Sequence, residues 1–169
     1  MISEKVKEIL NEQINKEFYS AYLYLALSAN LSNMGLYGFS KWCKIQSREE
    51  IDHGMILFEY ILKQKEKVSL RGISAPEMNF DCPLKIFEHI YQHEKEVSKS
   101  INQIAKMTDL ECDYATRNFI DWYLKEQIEE EDNVQRIISK LKAFGIEESA
   151  LYLMDKELGE RSYKIHEYK

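Results

Sequence analysis

Four long stretches of this chain repeat apolar residues at steps of three and four. That period places them on one face of an α-helix; a half-buried strand would alternate instead. The first stretch runs from an N-cap at Ser3 to a break at Asn33-Met34-Gly35, with its stripe at Val6, Leu10, Tyr24, Leu27 and Leu31. The second carries Phe39, Cys43, Leu57 and Ile61; the third, opened by Pro83, carries Phe87, Ile90, Val97, Ile101 and Ile104. The fourth passes through Ile120, Leu124, Val134, Ile138 and Leu141 to Gly145. With only six Gly and two Pro in 169 residues, little else can end a helix. The expected elements are helices over about 3–33, 36–65, 83–108 and 111–142, with a shorter fifth over 147–158 whose Ala150, Leu151, Met154 and Leu158 form a stripe of their own.

Short turns join the first helix to the second and the third to the fourth, so each pair is an antiparallel hairpin. The segment between the second and third, residues 66–82, has few helical signals. A helix of ~28 residues is about 42 Å long, and fifteen extended residues reach about 50 Å. The connection can therefore run the length of the bundle and start the third helix at the end where the second began. The predicted fold is all-α, a single domain built as a four-helix bundle with one long crossover and a short C-terminal helix.

Each apolar seam is broken by acids near its midpoint. Glu17 lies between Leu10 and Tyr24, Glu50 and His53 between Cys43 and Leu57, Glu94 between Ile90 and Val97, and Gln127 and Glu130 between Leu124 and Val134. In antiparallel hairpins midpoints lie beside midpoints, so the four interruptions meet at one height. The spacing repeats: Glu17 to Glu50 is 33 residues, as is Glu94 to Gln127, and each half adds a ligand-type residue three further on, His53 or Glu130. Residues three apart share a helix face. Two unit charges about 4 Å apart repel by roughly 4 kcal/mol at an effective dielectric of about 20, so buried carboxylates need cations. The seams hold too little Lys or Arg, whereas two divalent metal ions balance four Glu. Such carboxylate and Glu-x-x-His donors are those of di-metal bundles. Glu49, Glu126 and Glu129 lie just off the seam, where a solvated acidic face competes with a further metal site. Tyr24 lies two turns from Glu17 on the same side, within reach of the groups around the metals. His89, His93 and His166 have no partner pattern and read as surface residues.

The remaining composition excludes other classes. A net charge of −6 without a basic face argues against a nucleic-acid partner. Cys43, Cys82 and Cys112 are odd in number and form no CxxC pair, which reads as reduced thiols in the cytoplasm. No signal peptide is evident, and the run AYLYLAL at 21–27 is far too short to cross a membrane.

On Glu17, Tyr24, the REEIDH stretch with Glu50 and His53, Glu94, and the EQIEE stretch with Gln127 and Glu130, the chain closely resembles the non-haem bacterial ferritins over essentially its full length. The resemblance implies an iron-storage protein that oxidises Fe²⁺ with dioxygen or peroxide at an intrasubunit centre and stores ferric mineral in a hollow homo-oligomeric 24-mer. It implies that Glu17, Glu50 and His53 hold one iron, and that Glu50, Glu94 and Glu130 hold a second with Gln127 nearby. Glu49, Glu126, Glu129 and Glu130 would form a third iron site, with Tyr24 as the redox-active aromatic. Haem-containing bacterioferritins repeat Glu-x-x-His in both halves and place Met after the first motif's Glu. Here the second half reads Gln127-Ile128-Glu129-Glu130 and the first continues with Ile51, so haem is not expected. Two alternatives stay open: a metal buffer holding zinc or calcium without redox chemistry, and a rubrerythrin-like peroxidase, for which the cysteines cannot supply a Cys₄ segment.

Overall fold

Helix α1 (Glu4–Asn33) begins where Ser3 accepts a hydrogen bond from the Val6 amide at 3.3 Å. It ends in a reversal in which Leu36 N–H reaches Leu31 C=O and Gly35 N–H reaches Ser32 C=O, with Gly35 at φ 78°. The same closure ends two further helices without a glycine. Lys65 (φ 61°) follows α2 (Tyr37–Lys63), and Cys112 (φ 54°) follows α3 (Pro83–Leu110). α4 (Tyr114–Phe144) is capped by Asp113, which accepts from the Thr116 amide at 3.1 Å and from its hydroxyl at 2.6 Å. α5 (Glu148–Gly159) follows. The expected boundary between the third and fourth helices, at 108 and 111, moves to 110 and 114: a non-glycine residue closes one helix, and the next starts three residues later than the pattern suggested.

This computed structural model describes residues 2–145 and 147–165. Its apolar core has two parts, which give the direction of every helix. One gathers Leu23, Leu27 and Leu31 of α1, Phe39 and Cys43 of α2, Ile86 and Ile90 of α3, and Val134 and Leu141 of α4. The other gathers Val6 and Leu10, Leu57 and Ile61, Ile101 and Ile104, and Phe119 and Ile120. Thus α1 and α4 run one way, and α2 and α3 run the other. The connection between α2 and α3 must therefore travel the whole bundle, as its length allowed. It does so along α1, held by three asparagines in order. Asn11 accepts from the Ser69 amide at 2.6 Å, Asn15 donates to Gly72 C=O at 3.5 Å, and Asn30 donates to Met78 C=O at 2.8 Å.

The stripe of α5 packs against the first core through Leu151, Met154 and Leu158. α5 also caps another helix. The amides of Gly38 and Phe39, unsatisfied donors at the start of α2, both donate to Asp155 Oδ1 at 2.7 and 3.0 Å. A Cβ at Gly38 would lie 1.6 Å from the Asp155 carbonyl oxygen, so only glycine admits this approach. Among the described residues no helix is long and apolar enough to cross a membrane.

Candidate metal centre

Between the two apolar cores lies a band of buried polar side chains, one group from each long helix. Glu17, Glu50, His53, Glu94, Gln127 and Glu130 are all buried, the four Glu being at most 3% exposed. They occupy the seam positions at which the apolar stripe is interrupted, so the helical phase that buries the leucines above and below also buries them.

Glu17, Glu50 and His53 bring one ligand atom each within 4.8 Å of one another. His53 Nδ1 lies 3.4 Å from Glu50 Oε2, and the imidazole ring stands edge-on to Trp122 and Tyr123 at 5.5 and 6.2 Å. A second convergence joins His53, Glu126 and Glu130, again within 4.8 Å. Glu94 completes the band, its carboxylate accepting from Tyr24 Oη at 2.6 Å and from Gln127 Nε2 at 3.2 Å. Gln127 Nε2 also faces Glu94 C=O and Ser98 Oγ, both at 3.3 Å.

The electrostatics match a site built for cations. Burial pushes Glu17 up to about 7, and it raises Glu94 and, further still, Glu50 and Glu130 above the ordinary carboxylate range. The other carboxylates add to the rise at Glu50 and Glu130. A hydrogen bond between Glu17 and Glu50 lowers the first and raises the second. Hard oxygen donors with one imidazole suit a first-row divalent ion such as Fe²⁺.

Outside the band, Glu49 is 4% exposed, so the solvated-face explanation fails for it, whereas Glu126 is half-buried and Glu129 exposed. All three line, with Glu130, an outer cleft of about 410 Å³. Arg161 Nη2 reaches Glu49 Oε2 at 2.5 Å. His89 and His93 are not plain surface residues. His89 packs on Phe80 with ring centroids 5.0 Å apart, and His93 lies against Tyr19 with Nε2 2.8 Å from Ser20 Oγ. His166 lies outside the described residues.

Several contributors escaped the sequence reading. Gln13 donates to Glu17 at 2.8 Å and Gln46 to Glu130 at 2.8 Å. Gln13 in turn accepts from Ser100 at 2.6 Å, and Ser100 Oγ accepts from Lys16 Nζ at 2.8 Å. The two glutamines precede Glu17 and Glu50 by four residues each and stand 33 apart, so the repeat that found the acids also marks them. Arg161 left no such trace, because it lies beyond the last helix.

Known proteins share this arrangement of elements. The model of the ferritin-like domain family matches residues 7–144. The bacterial non-heme ferritin of Bacteroides fragilis is 36% identical over 161 residues, 95% of this chain and 100% of that protein. That of Campylobacter jejuni is 39% identical over 155 residues, 92% of this chain and 93% of its own. Among solved structures, an engineered closed form of the Archaeoglobus fulgidus ferritin superimposes with a TM-score of 0.95 at 43% identity, covering 97% of this chain and 100% of the other. The open pore ferritin of the same archaeon gives 0.94 at 43% identity, over 95% and 98%.

Proposed function

Given that the chain belongs to the ferritin family, whose members store iron, we propose that its buried acidic band is a ferroxidase centre. Fe²⁺ is the substrate, and two ions per centre give one electron each to dioxygen or hydrogen peroxide. Glu17, Glu50 and His53 hold the first iron. Glu50, Glu94 and Glu130 hold the second, with Gln127 beside it, and Tyr24 acts on the centre through its hydrogen bond to Glu94. Glu49, Glu126, Glu129 and Glu130 hold a third iron in the outer cleft. The ferric product is stored as mineral within a homo-oligomeric shell of 24 subunits, in a cytoplasm that keeps the three thiols reduced.

One observation carries this reading: four acids, raised in pKa by burial, meet a histidine at a single height between two apolar cores. Replacing their protons by iron removes the penalty of burying charge, and a bridging Glu50 keeps two ions about 3.5 to 4 Å apart. Binding therefore releases protons. Anaerobic titration with Fe²⁺ should load two tight ions per chain, and a pulse of oxygen should then give Fe³⁺ in proportion. Glu50→Ala should lose both the loading and the ferric product. Two tightly bound ions that stay ferrous under oxygen would leave a metal buffer instead.

The halves differ chemically. The first iron keeps an imidazole, while the second has oxygen donors only, and nitrogen raises affinity for late divalent metals. The second position accordingly releases iron more readily. Gln127→His should retard that release, read as slower repeat turnover after a normal first oxidation; unchanged turnover would remove the idea.

A further inference from the structure

The segment after α5 folds back over α2 and is gripped at two points. Arg161 pairs with Glu49 and lies 4.8 Å from the Trp42 ring centroid, and Tyr163 donates to Asp52 Oδ2 at 2.6 Å. Arg48 of α2 adds a contact on the Tyr163 ring at 5.9 Å. This strap brings Arg161 and Lys164 into the wall of the outer cleft, opposite Glu126, Glu129 and Glu130.

Arg161 is placed there by charge more than by hydrogen-bond geometry. Its side chain is 24% exposed and pairs with a carboxylate only 5% exposed, yet Nη1 is buried without a hydrogen-bond partner among the described residues. The fork of the guanidinium, suited to a two-point grip on a carboxylate, is half used. Its positive charge thus stands among the acids that line one cleft, which is the part a bound cation would play.

We propose that Arg161 is a tethered competitor for a divalent cation in the outer cleft, and that residues 160–165 form a latch that cation binding releases. The inference rests on the reading of that cleft as a third metal site. The reasoning is one of linkage: a cation that takes Glu49 must displace the guanidinium, so latch closure and cation binding weaken each other. Tyr163 and Asp52 set how readily the strap lifts, because their hydrogen bond holds it beside the cleft.

Zn²⁺, which does not change oxidation state, is the probe. Titrated calorimetrically into the purified oligomer, it should bind at the outer cleft about fivefold more tightly in Arg161→Ala than in the wild type, the order expected for removing a partly exposed competing charge. The tighter inner sites should be unchanged. Tyr163→Phe, which keeps the charge and frees the strap, should give a smaller gain in the same direction. In the wild type, saturation with Zn²⁺ should speed amide hydrogen exchange across residues 160–165. Equal or weaker outer binding in both variants would overturn the latch while leaving the outer site standing, as would unchanged or slower exchange at saturation. If no variant takes a cation beyond the inner centre, the third-site reading falls and the latch falls with it.

Discussion

At Glu17, a carboxyl pushed up to about 7 by burial makes the stability of the metal-free chain depend on pH. The folded state holds the proton more tightly than the unfolded chain, whose ordinary value is near 4.5. The stabilisation is therefore fully present below about pH 4.5 and is lost as the pH rises through about 7, a change of about 3 kcal/mol. Glu17→Gln still accepts from Gln13 and cannot ionise. With chelator present, the thermal midpoint of the wild type should fall relative to the Gln variant between pH 5 and pH 8, at equal protein concentration. Parallel midpoints would contradict the assignment. Divalent metal should abolish the difference in the wild type by replacing the proton.

Two features of the helices belong to their ends. Cys112 closes α3 at φ 54°, a region that costs a side chain about 1 to 2 kcal/mol. Cys112→Gly should therefore raise stability by about 1 kcal/mol, read as a higher thermal midpoint with the helix boundary unchanged. At the other end of the bundle, Asp155 caps α2 from a different helix. Asp155→Ala should lower stability by about 1 to 2 kcal/mol, and Asp155→Asn, which keeps the acceptor, by less. Gly38→Ala should be worse than either, since the added methyl meets the backbone of α5. Amide exchange within α5 should quicken in Asp155→Ala and Gly38→Ala; if it does not, the cap is not what docks α5.

For the whole molecule, the crossover and the assembly are the quantities at stake. Running α2 and α3 in the same direction demands a connection as long as the bundle, and three asparagines spread along α1 satisfy its backbone on the way. The outer surface keeps large apolar side chains exposed, among them Tyr37, Leu110, Tyr114, Tyr152 and Leu153. Sedimentation or native mass should find a particle near twenty-four times 20.1 kDa. A monomer or dimer at micromolar concentration would remove the shell from the proposed function and leave the centre untouched.

The four stripes, the length of the crossover and the height of the acids were all legible in the sequence, because each follows from a local period of 3.6 residues and from chain length. Periodicity places Glu17, Glu50, Glu94 and Glu130 on inward faces whatever surrounds them, and the 33-residue spacing aligns them. Only the tertiary structure decided which carboxylates meet. It joined Glu17 and Glu50 at His53, set Glu94 on Tyr24 and Gln127, and buried Glu49 beneath Arg161. It also decided that Asp155 caps a helix more than a hundred residues away in sequence. The physical reason is the same in each case: a period reports which face a side chain is on, whereas a partner is chosen by rotamer, burial and charge once distant segments share one place.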